Sequence, residues 1–288
     1  MKQLILLILC LAVCYNTYAQ QEEKLVIKPS GRVLMDAGLF NASEQDEKFN
    51  DGVAIPDMRI GFSASYGEWK AKVDMGFAYG KVNMKDVFIQ YNFDKDNHNF
   101  LRAGYFIHQF GLQSATSSSF KISMEEPASN QAFNNARMIG VMYQHTQQQF
   151  MGTFSFFTET DAMKMTSDQL GNQGVGVMSR LLYRPFREPG KIFHIGISGA
   201  YETPRYNTDK ELNHHSYTLS TTYPTRIAKV ISQEAVIDHA KALYKFTPEL
   251  TAAIGRIGIE TQYFYINAQR SEGANYCLLY TSDAADDR

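Results

Sequence analysis

The sequence predicts an all-β chain folded as an antiparallel transmembrane β-barrel. Three observations carry this expectation. Apolar and polar residues alternate along much of the 288-residue chain, the apolar faces are free of charge, and short connections alternate with long ones.

The clearest unit covers residues 57–79. Met58, Ile60, Phe62, Ala64 and Tyr66 alternate with Asp57, Arg59, Gly61, Ser63 and Ser65. After Gly67 and Glu68, the residues Trp69, Ala71, Val73, Met75, Phe77 and Tyr79 alternate with Lys70, Lys72, Asp74, Gly76 and Ala78. Two strands with unlike faces joined by two turn residues read as a hairpin. The same alternation, with weaker members, recurs over 32–40, 85–93, 100–108, 137–144, 150–157, 175–184, 192–202, 240–254 and 257–266, so about eleven strands are expected. Most are close to the roughly 9–11 residues that cross a bilayer at a tilt.

No position on the apolar faces is charged, although 20% of the chain is; that favours hydrocarbon over water outside the sheet. The opposite faces carry Arg32, Arg59, Lys70, Lys72, Arg102, Arg180, Arg184, Lys241 and Lys245 beside Asp36, Asp57, Asp74, Asp86, Glu202, Glu249 and Glu260. A soluble sandwich also alternates, so the aromatics matter. Tyr66, Trp69, Tyr79, Tyr91, Phe93, Phe150, Tyr183, Phe193 and Tyr201 stand at or near strand ends on the apolar face, where interfacial girdles belong. Short connections at 67–68, 94–98, 146–149, 185–191 and 255–256 alternate with long ones at 41–56, 109–136, 158–174 and 203–239, with 80–84 the short exception. A barrel in the bacterial outer membrane would place the short turns in the periplasm and the long loops outside.

Composition removes other classes. The formal net charge of -2 shows no basic surplus for nucleic acid. The longest apolar run, residues 4–14, is too short for a helical span. With Lys2 before it and Thr17, Tyr18 and Ala19 after it, that run reads as a secretory signal peptide over 1–19; lipidation at Cys14 is disfavoured by the bulk of Val13. Cys10 and Cys14 leave with the signal, and Cys277 lies in the tail, so a disulfide-stapled fold is excluded. An odd strand count is a poor end for a bacterial barrel. Residues 20–276 are therefore read as an incomplete barrel and 277–288, which break the alternation, as a non-native tail; an unpaired edge is expected at 257–266.

The segment Arg102, Ala103, Gly104, Tyr105, Phe106 with Phe110, Gly111, Leu112, then Met124, Glu125, Glu126 and Arg137 to Val141, resembles the phosphate-selective porin O and P family. Matching pieces lie at 85–91, 180–186 and 257–264, and the resemblance covers about 31–266. It implies a trimer of sixteen-stranded barrels whose third external loop narrows the pore. That constriction would be 109–136, and about five strands would be missing from the C-terminal side.

The expected function is a water-filled outer-membrane channel for small solutes, anionic or neutral, with outer-membrane lipid around it, a homotrimer when complete, and no cofactor, metal or enzyme chemistry. Arg59, Lys70, Lys72, Arg102, Arg180 and Arg184 are the candidate pore-lining bases. For Arg102, Arg180 and Arg184 an anion track and ordinary wall charges paired with acids both stand. In the constriction loop, Lys121, Glu125, Glu126 and Arg137 are the candidates, with Glu125 read as a pin to wall arginines. Ser117 to Ser119 read as loop composition, and His214-His215 lack companions for a metal site. A hydrolase would need His108 or His194 beside a nucleophile, and no motif supplies one. A non-conducting adhesin would rest on 203–239; abundant Gly, Ser and Ala on the inner face, as at Gly61, Ser63, Gly76, Gly104, Gly196 and Ser198, favours an open lumen.

Overall fold

The structure, a computed structural model, describes residues 24–40, 51–96, 98–117, 126–133, 137–158, 173–204, 216–223, 225, 227 and 231–287. The proposed signal segment, Lys121, Glu125, Ser118, Ser119 and the His214-His215 pair lie outside them.

Among the described residues the chain forms fourteen strands: β1 (Val26–Gly38), β2 (Gly52–Tyr66), β3 (Trp69–Gly76), β4 (Asn83–Asn92), β5 (Phe100–Phe106), β6 (Met138–Gln147), β7 (Phe150–Thr158), β8 (Val175–Glu188), β9 (Lys191–Glu202), β10 (Ser216–Thr222), β11 (Ile231–Asp238), β12 (Ala240–Ile254), β13 (Ile257–Arg270) and β14 (Tyr276–Asp287). Two short helices, α1 (Gly111–Ala115) and α2 (Ala128–Phe133), lie between β5 and β6. A 12-stranded antiparallel sheet runs β1 to β9 in order and continues β12-β13-β14. The hairpin β10-β11 pairs only with itself. The sheet is open between β1 and β14, neither of which pairs with the other among the described residues.

The pleat places the apolar residues outward and the polar ones inward, the reverse of a soluble protein. In β12, Tyr244 and Phe246 are 41% and 40% exposed while Lys245, Thr247 and Glu249 are buried. In β7, Phe150, Phe154 and Phe156 face out and Thr153 and Ser155 are buried. A single turn fixes each register: Tyr66 pairs with Trp69 across Gly67, whose φ is 56°, and Ile254 with Ile257 across Gly255, φ 62°. Pro29 lies in β1, which ends the described sheet.

Four expectations need correction. The eleven anticipated strands are all present, but three more join them. β10 and β11 lie in what reads as a long loop; β10 is rich in Ser and Thr, and Gln233 and Glu234 interrupt the apolar residues of β11, which weakens the alternation. β14 pairs with β13 from Ile257↔Asp287 to Ala268↔Tyr276, so the expected free edge at 257–266 is covered. Main-chain hydrogen bonds do not depend on side-chain pattern, so a segment without alternation still pairs. The strand expected to reach Tyr79 stops at Gly76, where a 3-10 turn begins and Tyr79 adopts φ 54°. Finally, the inner glycines are seats rather than clearance: a Cβ at Gly61 would overlap the Asp74 carboxylate, and one at Gly196 would lie 2.9 Å from Glu249 Cγ.

Candidate functional site: the lumen and its inward loop

The segment between β5 and β6 does not stay with its own strands. It folds inside the sheet and is fastened to the far wall. Gly111 N donates to Ser198 Oγ of β9 at 3.0 Å, and Gln109 Oε1 accepts from Arg180 Nη1 of β8 at 3.2 Å. Gln113 donates to Glu260 of β13, and Lys245 Nζ of β12 donates to the Phe133 carbonyl at 3.3 Å. Gly111 adopts φ 73°, and a Cβ there would overlap Gln262 Nε2, which donates to Thr247 Oγ1 at 3.0 Å. Only glycine lets the loop backbone come that close.

This loop brings an apolar filling into the lumen. Phe110 and Phe133 join Met138, Phe157, Met178, Leu243, Phe264 and Ile266, together with Leu219 and Ile237 of the β10-β11 hairpin, in one buried cluster. Phe133 and Phe264 rings lie 5.5 Å apart. The inner side of the sheet therefore carries a buried apolar cluster beside its polar wall.

Most wall charges are compensated. Asp57 accepts from Arg59 at 2.6 Å and from Arg32. Lys72 meets Asp74 at 2.6 Å and Asp86 at 3.4 Å; Arg137 meets Asp86 at 2.7 Å. Lys245 pairs with Glu202 at 3.0 Å. Glu249, side chain wholly buried, accepts from Arg180 Nη2 and shares a short contact with His194 Nε2, each at 2.5 Å. Arg180 is thus held in a buried ion pair.

Arg102 and Lys70 differ. Arg102 donates twice to the neutral Gln90 Oε1, at 2.9 and 2.7 Å, and its guanidinium stands 4.2, 4.8 and 5.4 Å from the ring centres of Phe88, Phe100 and Phe106. A ring face holds a cation without cancelling its charge. Lys70 sits opposite Gln90 in the β3–β4 register, and Gln90 opposite Arg102 in β4–β5. No salt bridge joins Lys70 or Arg102 to an acid among the described residues, although Asp86 interacts electrostatically with Arg102, so two cations flank a neutral amide near the short-turn end. Arg184 Nε also has no partner among the described residues.

Of the loop candidates, Glu126 holds α2, its carboxylate taking Asn130 Nδ2 and its carbonyl taking Gln131 Nε2 at 2.8 Å. Arg137 belongs to the wall. His108 is buried against Phe106 and Phe157, with Nε2 3.3 Å from the Met138 carbonyl. No group of three His, Cys, Asp or Glu residues suited to a metal exists among the described residues. Residue-by-residue reading overlooked Gln90, Gln109 and the three rings around Arg102. Their signal was phenylalanine on the inner face, at Phe88, Phe100 and Phe106, where a plain polar lumen has no use for it.

Comparison with known proteins agrees with this architecture. A family model described as "Phosphate-selective porin O and P" matches residues 27–279. OmpT, an outer membrane protein of Vibrio cholerae folded in vitro, superposes with a TM-score of 0.52 at 12% identity, covering 94% of this chain and 72% of that one. The outer membrane channel DcaP of Acinetobacter baumannii aligns over 91% of this chain and 95% of its own, at 11% identity and a TM-score of 0.31. No curated protein sequence matches.

Proposed function

The chain belongs to the phosphate-selective porin O and P family, an outer-membrane porin, and on that premise we propose that it forms a water-filled channel for small solutes with a mild preference for anions. The observation that carries the anion preference is the Lys70-Gln90-Arg102 row. Arg32, Arg59, Lys72, Arg137, Arg180 and Lys245 each lie at ion-pair distance from a carboxylate, whereas Arg102 is held by an amide and aromatic faces and Lys70 forms no ion pair among the described residues. Inside a narrow bore, where screening by bulk ions is reduced, two cations without a salt-bridge partner among the described residues outweigh several paired ones. This supports a general anion bias rather than a dense phosphate site, because the basic residues are separated by neutral Gln90.

On this reading the short turns face the periplasm and the long loops face outward, with 1–19 removed on export. An open sheet edge cannot stand in hydrocarbon, so β1 and β14 need partners in the membrane. The family's sixteen strands and trimeric assembly would provide that closure. Reversal potentials across a salt gradient test the proposal. Replacing Lys70 and Arg102 together with Gln is expected to remove the anion bias, while unchanged selectivity in that variant would overturn the assignment.

A further inference from the structure

Arg180 and His194 meet on one carboxylate oxygen. His194 stands on the inner face of β9, in the row of Gly196 and Ser198, and its Nε2 lies 2.5 Å from Glu249 Oε1. Arg180 Nη2 reaches the same oxygen at 2.5 Å, and Arg180 Nε donates to Glu249 Oε2 at 3.3 Å. One buried carboxylate thus serves two basic groups. A guanidinium is charged at any working pH, whereas an imidazole is charged only when protonated.

The groups around His194 come from three strands and the inward loop. On β8, Arg180 and Arg184 stand beside it, Arg184 at the bulge between the register pairs Tyr183↔Ile195 and Phe186↔Phe193. On β12, Glu249 touches it and neutral Thr251 is its register partner. Thr251 pairs in turn with Glu260 of β13, which accepts from Gln113. The loop contributes Gln109 and Gln113, both neutral. On β9 itself, Lys191 lies at the turn, and Glu202 at the far end is paired with Lys245. With a neutral imidazole, Arg180 and Glu249 cancel. A protonated imidazole adds one positive charge to this part of the wall. A neutral ring can already donate Nε2–H to Glu249, so the added proton goes to Nδ1 and the hydrogen bond survives. Access differs between the two inner histidines: the His194 side chain is 13% exposed, whereas His108 is enclosed between Phe106 and Phe157.

We propose that His194 sets the strength of the anion preference: by taking a proton from lumen water it makes the channel prefer anions more strongly in acid than in alkali. This rests on the channel reading and is separate from the Lys70-Gln90-Arg102 row. No movement of the wall is required, because the same contact with Glu249 serves both forms of the ring.

Reversal potentials across a potassium chloride gradient test it. Between about pH 8 and about pH 5, the range in which histidine ordinarily changes charge, the anion-to-cation permeability ratio of the parent chain is expected to rise about two- to threefold. That is the effect of one elementary charge on a monovalent ion roughly 7 Å away in water. His194→Gln keeps a donor for Glu249 and takes no proton, so it is expected to hold its alkaline ratio throughout. His194→Lys is expected to show the parent's acid ratio already in alkali, and keeps the test open where the Gln variant does not fold. A parent ratio that does not change, a rise that persists in His194→Gln, or a His194→Lys ratio equal to the parent's in alkali overturns the proposal. Independently, NMR of histidine-labelled protein in detergent is expected to show one ring protonating in that range whose signal is missing from the variants; a His194 ring that stays neutral overturns it too. A parent chain that conducts nothing defeats the channel reading instead, and the NMR titration still decides whether His194 takes the proton.

Discussion

Arg180 Nη2 lies 2.5 Å from Glu249 Oε1, joining β8 to β12 over the back of β9. The same guanidinium donates to Gln109 at the root of the inward loop. One ion pair thus closes the wall and aims the loop. Removing one member of a buried pair leaves the other uncompensated, at a cost of about 3–5 kcal/mol. Glu249→Ala is expected to lower the temperature at which the chain loses its folded electrophoretic mobility in detergent. Glu249→Gln, which retains a hydrogen-bond acceptor for Arg180, is expected to lose less.

Trp69 is the one tryptophan of the sequence. It is 47% exposed on the outer face at the β2–β3 turn, edge-on to Tyr91 at 5.0 Å. An interfacial girdle places it at headgroup depth. Lipids brominated near the headgroup are expected to quench its fluorescence strongly, and aqueous acrylamide weakly. The reverse pattern would put that face in water.

Gly104 in β5 adopts φ 140°, and a Cβ there would overlap the Val87 carbonyl and crowd the Phe88 backbone. Neither can move without disturbing the β4–β5 ladder. Gly104→Ala is expected to destabilise by roughly 1–3 kcal/mol, and, by displacing Phe88 from Arg102, to alter ion selectivity in the same direction as Arg102→Gln.

Asp94, in the turn after β4, illustrates pH dependence outside the membrane-spanning strands. Desolvation raises its pKa, but the His98 backbone N–H at 2.8 Å and the side chain and backbone of Asn99 outweigh it and hold the carboxyl below the ordinary carboxylate range. A folded-state pKa below the unfolded one adds stability that is complete above the ordinary range and is lost as pH falls through the lowered value. Protection of the His98 and Asn99 amides, relative to the intrinsic exchange rate at each pH, is expected to fall on acidification through that window, and the dependence is expected to vanish in Asp94→Asn.

The wall was legible because lipid imposes a rule that leaves a mark at every second residue. Val73, Ile89, Leu101, Val141 and Phe154 are all exposed on the outer face, as their alternation requires. The lumen was less legible because it answers to the loop folded into it. Arg180 and Lys72 carry the same charge as Lys70, yet each meets a carboxylate, Arg180 that of Glu249, 69 residues away, and Lys72 those of Asp74 and Asp86. Alternation places each on the inner face and does not say which acid it meets. The β10-β11 hairpin escaped for a different reason: one face of β10 carries only Tyr217 and Leu219 as apolar residues before Thr221, too short a run to mark a strand.

Conductance of single channels in planar bilayers tests the central claim most directly. A water-filled pore predicts discrete steps whose size grows in proportion to the bulk salt concentration, with a reversal potential displaced toward the anion equilibrium. The absence of steps from a chain that is folded in the membrane, or a clear cation preference, would contradict it.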